Sequence, residues 1–228
     1  MSVLFVTGAG ISANAGIPVY RERGSSWTDQ DLEQKSHASR YGNHLDELWD
    51  KHWGPMSINM KEAEPTYTHK AIAAFQKKHD AIIATQNIDL LHERAGSDNV
   101  AHLHGSLSPK CMRCKGTSIE EWNGNGAPVC RGCESRKTRP DVILFGEVLS
   151  AKLMRGLHTF ASKSRVIAVG TSLNVFPAAG LVMDHTARAT IINKEPTMFD
   201  KWVRAVHHED CDQVIDDVLA EVDASLTF

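Results

Sequence analysis

The stretch ATQNIDLLHERAGSDNVAHLHGS, residues 84–106, decides how this chain is to be read. It carries two polar clusters: Thr85, Gln86 and Asn87 with Asp89, and His104, Gly105 and Ser106. Each follows a short apolar run, Ala81–Ala84 and Val100–Leu103, and such runs bounded by turn-forming residues read as buried strands. In an open parallel sheet, ligands sit in the crevice beyond the carboxyl ends of the strands. Two strands ending in amides, a carboxylate and an imidazole therefore predict one polar site fed from neighbouring strand ends. The plain alternative is loop chemistry, since Asn, Asp, Gly and Ser favour turns on their own account.

Upstream, the apolar run Val3–Val6 leads through Thr7 into Gly8-Ala9-Gly10-Ile11-Ser12 and a helix start. A buried strand, a glycine turn and a helix N-terminus are the parts of a dinucleotide-binding βα unit, because glycine lets the backbone approach a pyrophosphate and the helix supplies free N–H groups. The spacing is not G-x-G-x-x-G, as the third glycine comes at Gly16, so a simple turn remains the alternative. Downstream, Val142–Phe145, Val166–Val169 and Thr190–Ile192 are further strand-like runs. Between and after them, Leu153, Met154, Leu157 and Phe160 share one helix face, and Val214, Ile215, Val218, Leu219 and Val222 share another. Thr68–Lys78 puts Ala71, Ile72 and Phe75 on one helical face before strand 81–84. This alternation predicts an α/β fold with a Rossmann-like, doubly wound parallel sheet. Gly170-Thr171-Ser172 then follows a strand, as either a ribose-binding turn or an ordinary connection.

Four of the five cysteines stand in pairs, Cys111-x-x-Cys114 and Cys130-x-x-Cys133, with 15 residues between the pairs. That spacing falls in the range for a tetrahedral Zn²⁺ site. Four thiolates leave no open coordination position, so the expected Zn²⁺ is structural, one per chain. Gly116, Gly124, Gly126 and Gly132 mark a loop-rich lobe whose folding energy would come from the metal. The lobe is locally basic through Lys110, Arg113, Lys115, Arg131, Arg136, Lys137 and Arg139. A tetrathiolate zinc carries a formal charge of about −2 that nearby cations offset, which is preferred here to a nucleic-acid patch. With 228 residues and a net charge of −3, the chain has room for one large domain and a small lobe, and no global reason to bind nucleic acid. No apolar run approaches the length of a membrane span. With no signal segment and with paired cysteines suited to a reducing compartment, the expectation is a cytoplasmic, single-module monomer.

Several segments also resemble the sirtuins, NAD-dependent protein deacylases, most closely the compact bacterial-type zinc-containing members. GAGISANAGIPVYR (8–21) is similar to the family signature, TQNIDLLHERAG (85–96) matches its TQNIDxLHxxAG nearly letter for letter, and HLHGS (102–106) resembles its catalytic HGS. PDVILFGE (140–147), GTSLNVFPAA (170–179) and the Asn193 that ends TIIN follow in family order. The resemblance implies NAD as cofactor and acyl-lysine proteins or peptides as substrates. It implies His104 as general base helping a ribose hydroxyl attack, with imidazole suited to that task near neutral pH. It places Asn87 beside it in catalysis, with Asn87 and Asp89 positioning nicotinamide and ribose and Gln86 the ribose hydroxyls. Gly8, Ala9, Gly10, Ser12, Tyr20, Arg21 and Ile88 would complete the cofactor contacts. Gly170, Thr171, Ser172 and Asn193 would hold the adenosine ribose. Cys211 would lie near the adenine, or serve only as a small buried hydrophobe. Val142, Phe145, Gly146 and Glu147 would pair with the substrate peptide as an added strand. His102 is read as structural.

The departures fall at Ala15, Val19 and Tyr20, where the family has Ser, Asp or Thr, and Phe; Arg21 is kept. Val19 removes a polar group beside the expected nicotinamide pocket. Residues 21–30 read as a mobile loop that closes over NAD in the family, and Leu45, Leu48, Trp49, His52 and Trp53 as one helical face. The Tyr-x-x-Arg clamp of succinyl- and malonyl-removing relatives falls on His52 and Pro55, so that clamp is absent. The expected division is 1–24, 69–106 and 141–228 for the NAD-binding domain, with 25–68 and 107–140 as the small lobe. The expected products are lysine, nicotinamide and O-acyl-ADP-ribose. Two other readings use the same residues: NAD hydrolysis or ADP-ribosylation, kept open by Val19, and a non-catalytic NAD sensor, which needs neither His104 nor Asn87.

Overall fold

The strands among the described residues are β1 (Ser2–Thr7), β2 (Ala81–Thr85), β3 (Val100–His102), β4 (Gly105–Cys111), β5 (Thr138–Val142), β6 (Ser164–Val169), β7 (Ala189–Ile192) and β8 (Ala205–His207). They are seen in a computed structural model that describes residues 2–18 and 34–226. The α-helices among these residues are α1 (Leu45–Leu48), α2 (Gly54–Glu62), α3 (Tyr67–Gln76), α4 (Leu91–Arg94), α5 (Ala151–Ala161), α6 (Gly180–Met183) and α7 (Cys211–Leu226). Six strands make one parallel sheet in the order β3-β2-β1-β6-β7-β8. Numbered along the chain within this sheet alone, that is 3-2-1-4-5-6, the doubly wound dinucleotide-binding order. The strand order reverses between β1 and β6, which makes their carboxyl ends the switch point where such sheets bind ligands.

Burial on both faces explains why these strands are apolar throughout rather than alternating. Leu4 and Val6 of β1 face a cluster with Met154 and Leu157 of α5 and Leu181 of α6. Val3 and Phe5, on the opposite face, pack with Ile72 and Phe75 of α3 and with Val214, Ile215 and Val218 of α7. Thr66 caps α3, its side chain accepting the His69 N–H while the His69 ring accepts the Thr66 N–H.

The chain divides into two compact units, Met1–Ile17 with Glu64–Leu103 and Leu149–Phe228, and Pro18–Ala63 with His104–Val148. Residues 104–106 and 141–148 thus cluster with the lobe rather than with the sheet domain. The reason is register: β4 and β5 are antiparallel, and Gly105 pairs with Val142 and Ser106 with Asp141. Val142–Phe145 is accordingly not a strand of the parallel sheet; β5 ends at Val142 and belongs to a separate two-stranded sheet. β4 and the three-residue edge strand β8 carry no apolar run and were not legible. The turn after β1 continues into a 3-10 helix, Ala9–Ala15, closed by left-handed Gly16. In the lobe, α1 widens into a π-helical turn, Trp49–Trp53, before α2. Pro55 lacks the N–H that an α-turn would give to the residue 51 carbonyl, and the wider turn accommodates its ring. Leu48, Trp49, His52 and Trp53 are buried there, as their spacing predicts.

Two buried imidazoles in the sheet unit set its acid stability. The His69 and His92 rings stand 4.6 Å apart, and His92 Nε2 lies 3.0 Å from Thr7 Oγ1. Burial lowers His69 from 6.5 to about 4 and holds His92 well below its ordinary value, with charge on His69 and His102 acting in the same direction. Because the folded state favours neutral rings, this stability is complete above pH 6.5 and is lost as pH falls through the folded values. For His69 alone the shift amounts to roughly 3 kcal/mol. Urea midpoints should fall steeply as the pH drops from 6 to 4. Midpoints unchanged down to pH 4.5 would contradict this account.

Candidate active site

At the switch point the turn after β1 lies against the turn after β6. The Gly10 N–H donates to the Gly170 carbonyl at 2.8 Å, and the Gly8 N–H to the Val169 carbonyl at 3.1 Å. A Cβ on Gly8 would stand 2.7 Å from Thr171 Cβ, and one on Gly10 would stand 2.8 Å from Gly170 Cα. The two glycines are therefore required by turn-on-turn packing, in addition to any approach by a ligand. Ala9 and Gly10 are half-buried, Ser12 and Thr171 buried, and Ser172 exposed.

A polar network spans the ends of β1 and β2. The Asn87 N–H donates to Thr85 Oγ1 at 3.1 Å, and its side-chain Nδ2 donates to the Gly8 carbonyl at 3.2 Å and Ser12 Oγ at 3.1 Å. Ser12 Oγ donates in turn to Asp89 Oδ2 at 3.0 Å, and the Leu91 N–H reaches Asp89 Oδ1 at 3.1 Å. Both Nδ2 hydrogens of Asn87 are thus engaged, so Oδ1 is the atom it can offer a ligand. Burial raises the Asp89 carboxyl above its ordinary range, only partly countered by the Leu91 N–H and the Ser12 hydroxyl. Gln86 Nε2 donates to Thr171 Oγ1 at 3.0 Å, tying the β2 end to the β6 turn. Ile88 is half-buried between them in sequence.

Asn193, at the end of β7, donates its N–H to the His207 carbonyl and its Nδ2 to the Glu195 carbonyl at 2.7 Å. Cys211 is buried in the α7 core cluster. Its neighbours Asp210 and Asp212 both accept from Asn14 Nδ2, and Asp210 also pairs with Lys194 at 2.9 Å. This bracket was not read from sequence, and no spacing rule links Asn14 to residues 210–212. Together these groups fit a dinucleotide: two glycine turns, a ring of amides and hydroxyls, and a dry carboxyl at the strand ends.

The lobe unit carries His104, the next residue after Leu103, half-buried and with its carbonyl accepting the Ile143 N–H at 2.8 Å. Gly105 follows in the left-handed region, φ 74°. Val142 is buried, and the Phe145 carbonyl accepts the Ala38 N–H at 2.9 Å. Gly146, φ 84°, lies under the His37 ring. Glu147 is held by Arg139 in a two-pronged pair, 2.8 and 2.9 Å, and accepts the Leu144 N–H at 2.8 Å. The Arg139 hydrogen bond holds its carboxyl below the usual range despite burial. By sequence Arg139 is only one of the lobe's cations; pairing with Glu147 gives it a bracing role.

The four zinc-type cysteines converge, all four sulfurs lying within 4.8 Å of one another. Cys111 Sγ and Cys133 Sγ are 3.6 Å apart, as are Cys114 Sγ and Cys130 Sγ. A tetrahedron with Zn–S bonds of about 2.3 Å has edges of about 3.8 Å, so the thiolates fit one Zn²⁺. The two knuckles repeat each other: Lys115 and Glu134, each following the second cysteine of its pair, have positive φ and return N–H bonds to the Cys111 and Cys130 carbonyls. Val19, Tyr20 and Arg21, with the loop to residue 30, lie outside the described residues.

Known proteins are similar in sequence and fold. The Sir2 family profile matches residues 8–177. An NAD-dependent protein deacylase 2 of Archaeoglobus fulgidus is 37% identical over 208 residues, 85% of this chain and 80% of that protein. A crystal structure of a Sir2 homolog–NAD complex superposes with a TM-score of 0.85 at 29% identity, covering 99% of this chain and 90% of that one. A Sir2 structure holding the inhibitor EX-527, 2′-O-acetyl-ADP-ribose and a deacetylated p53 peptide gives a TM-score of 0.77 at 28% identity, covering 97% and 94%.

Proposed function

The chain belongs to the Sir2 family, and we propose that it is an NAD-dependent protein-lysine deacylase with His104 as its general base. The observation that carries the reading is the buried Asn87–Ser12–Asp89 network set against the Gly8 and Gly170 turns. NAD, when bound, supplies a ribose C1′ from which nicotinamide departs. Asn87 offers Oδ1 to a ribose hydroxyl, since its Nδ2 is engaged by Gly8 and Ser12. Asp89, kept dry and fixed by Ser12 and Leu91, positions the nicotinamide end, and Gln86, held by Thr171, the ribose hydroxyls. Gly8, Ala9, Gly10, Ser12 and Ile88 line the cofactor, with Gly170, Thr171, Ser172, Asn193 and Cys211 on the adenosine side; Tyr20 and Arg21 are assigned to it by the family resemblance alone. His104 accepts the proton of a ribose hydroxyl on a ring nitrogen, the step for which imidazole is suited. Val142, Phe145, Gly146 and Glu147 present backbone to the acyl-lysine peptide as an added strand, with Glu147 bracing that segment through Arg139.

The named activity of the archaeal relative and the acetyl-ADP-ribose and deacetylated peptide in a related structure support this reaction. A cytoplasmic location belongs to the same reading, supported by a four-thiol zinc site that suits a reducing compartment, and the enzyme is proposed to act as a monomer. The lack of an arginine between Arg40 and Arg94 favours uncharged acyl chains. The test is mass spectrometry of acetyl-, longer acyl- and succinyl-lysine peptides incubated with NAD. Wild-type protein should remove an acyl group, and His104→Ala should be slower by about 10²–10⁴-fold. Nicotinamide release with intact peptide would replace the reading by NAD hydrolysis, and silence in both assays by a sensor.

A further inference from the structure

Each nitrogen of the His102 ring meets an acceptor. Nδ1 lies 3.1 Å from the Asn87 carbonyl oxygen, and Nε2 lies 2.7 Å from Oε1 of Glu93. A peptide oxygen has no proton to give. Glu93 has none either: burial pushes its carboxyl up, but the His102 hydrogen bond carries it below the ordinary range. The ring must donate from both nitrogens, which only an imidazolium can do.

We propose that His102, doubly protonated and paired with Glu93, is a positioning residue that clamps the Asn87 peptide and thereby aims the Asn87 side chain. Its catalytic consequence rests on the deacylase reading; the clamp itself does not. The Asn87 N–H is held by Thr85 Oγ1 and its side chain by Gly8 and Ser12, so the carbonyl is where a titratable group acts on this residue. Among the described residues, the titratable groups facing the ring are Glu93 and His92 of α4 and Asp89 of the β2–α4 segment. His92 is neutral through burial, and burial also raises Asp89, so Glu93 dominates. Burial pulls the His102 pKa down, but the bonds to Glu93 and the Asn87 carbonyl carry it above 6.5. Once the Nδ1 proton is lost at alkaline pH, two lone pairs face each other and the Asn87 peptide is released.

The test uses the full-length protein labelled with ¹⁵N, without NAD, His102 being assigned by its disappearance in His102→Arg. Both ring nitrogens should show imidazolium shifts at pH 7, with a midpoint above 6.5 that Glu93→Gln lowers. The Asn87 side-chain amide resonance should follow that midpoint in the wild type and stop titrating in His102→Arg. In kinetics, His102→Gln should lower kcat/KM for NAD about tenfold or more. His102→Arg, a permanently charged donor, should stay within about threefold and keep activity to higher pH. A neutral His102 at pH 7, an Asn87 resonance indifferent to its titration, or equal losses in the Arg and Gln variants would each overturn the clamp. If the wild type deacylates no peptide, the deacylase reading fails while the resonances still decide the clamp. If a variant does not fold, the wild-type titration decides it.

Discussion

Removing zinc with a high-affinity chelator at pH 7 should unfold the lobe and abolish deacylation while the parallel sheet stays folded. The cysteine knuckles have few apolar contacts of their own; Cys111, Ala127, Pro128 and Cys130 are the buried apolar residues of the 107–137 segment. Metal binding therefore supplies most of their folding energy, on the order of 10–16 kcal/mol for structural zinc. Loss would spread within the lobe, because Ala127 and Gly126 donate N–H bonds to Asp46 and Asp50, and Trp49 Nε1 donates to the Thr138 carbonyl. Trp122 also sits on Gly54, where a Cβ would fall inside its ring. The expected signature is a red shift of tryptophan emission from Trp49, Trp53 and Trp122, with most helical circular dichroism from α3, α5 and α7 retained. Metal analysis should give one zinc per chain, and Cys130→Ser should reproduce the chelated state. Full activity after complete metal removal would show that the lobe folds without it.

Gly105→Ala should be nearly as damaging, for a reason of geometry. Gly105 has φ 74°, and a Cβ there would land on the Asp141 carbonyl oxygen and 2.9 Å from Val142 Cα. The left-handed conformation alone costs an L-residue roughly 1–2 kcal/mol. The overlap adds to it by forcing β4 away from β5, and with it the residue next to His104. The expected loss in kcat/KM is at least about 10²-fold, the scale of a displacement near 1 Å in a reacting group, accompanied by a lower urea midpoint. Gly124→Ala is the control, since Gly124 has φ 90° but no atom within 4 Å of its Cβ. It should cost about 1 kcal/mol and leave kcat/KM unchanged. Equal behaviour of the two variants would mean that the hairpin yields freely and that register there does not hold the site.

Legibility followed the range of the interactions. Val3–Val6, Ala81–Ala84 and Val166–Val169 are visible as strands because both faces are buried and the residue types alone report it. The cysteine pairs are visible because metal coordination imposes spacing. Val142–Phe145 shows the limit: its apolar run looks like a central strand, yet its first residue closes an antiparallel pair with Gly105. Burial is a property of the residue, whereas pairing belongs to a partner far along the chain. By sequence His102 is a structural residue, and only the two acceptors around its ring give it a charge and a task.

Residue types and their spacing are enough for the α/β class, the glycine turn, the Asn87–Asp89 and His104 motifs, and the zinc ligands. Each is written in local spacing or residue type, to which a β-period, a turn or a metal directly responds. It takes the folded chain to reveal that β1 and β6 flank the switch point, that Gly8 and Gly10 are needed by the Gly170 turn, and that Arg139 braces Glu147. Those facts depend on which distant backbones come within a few ångströms of each other, and close approach is settled by packing the whole chain.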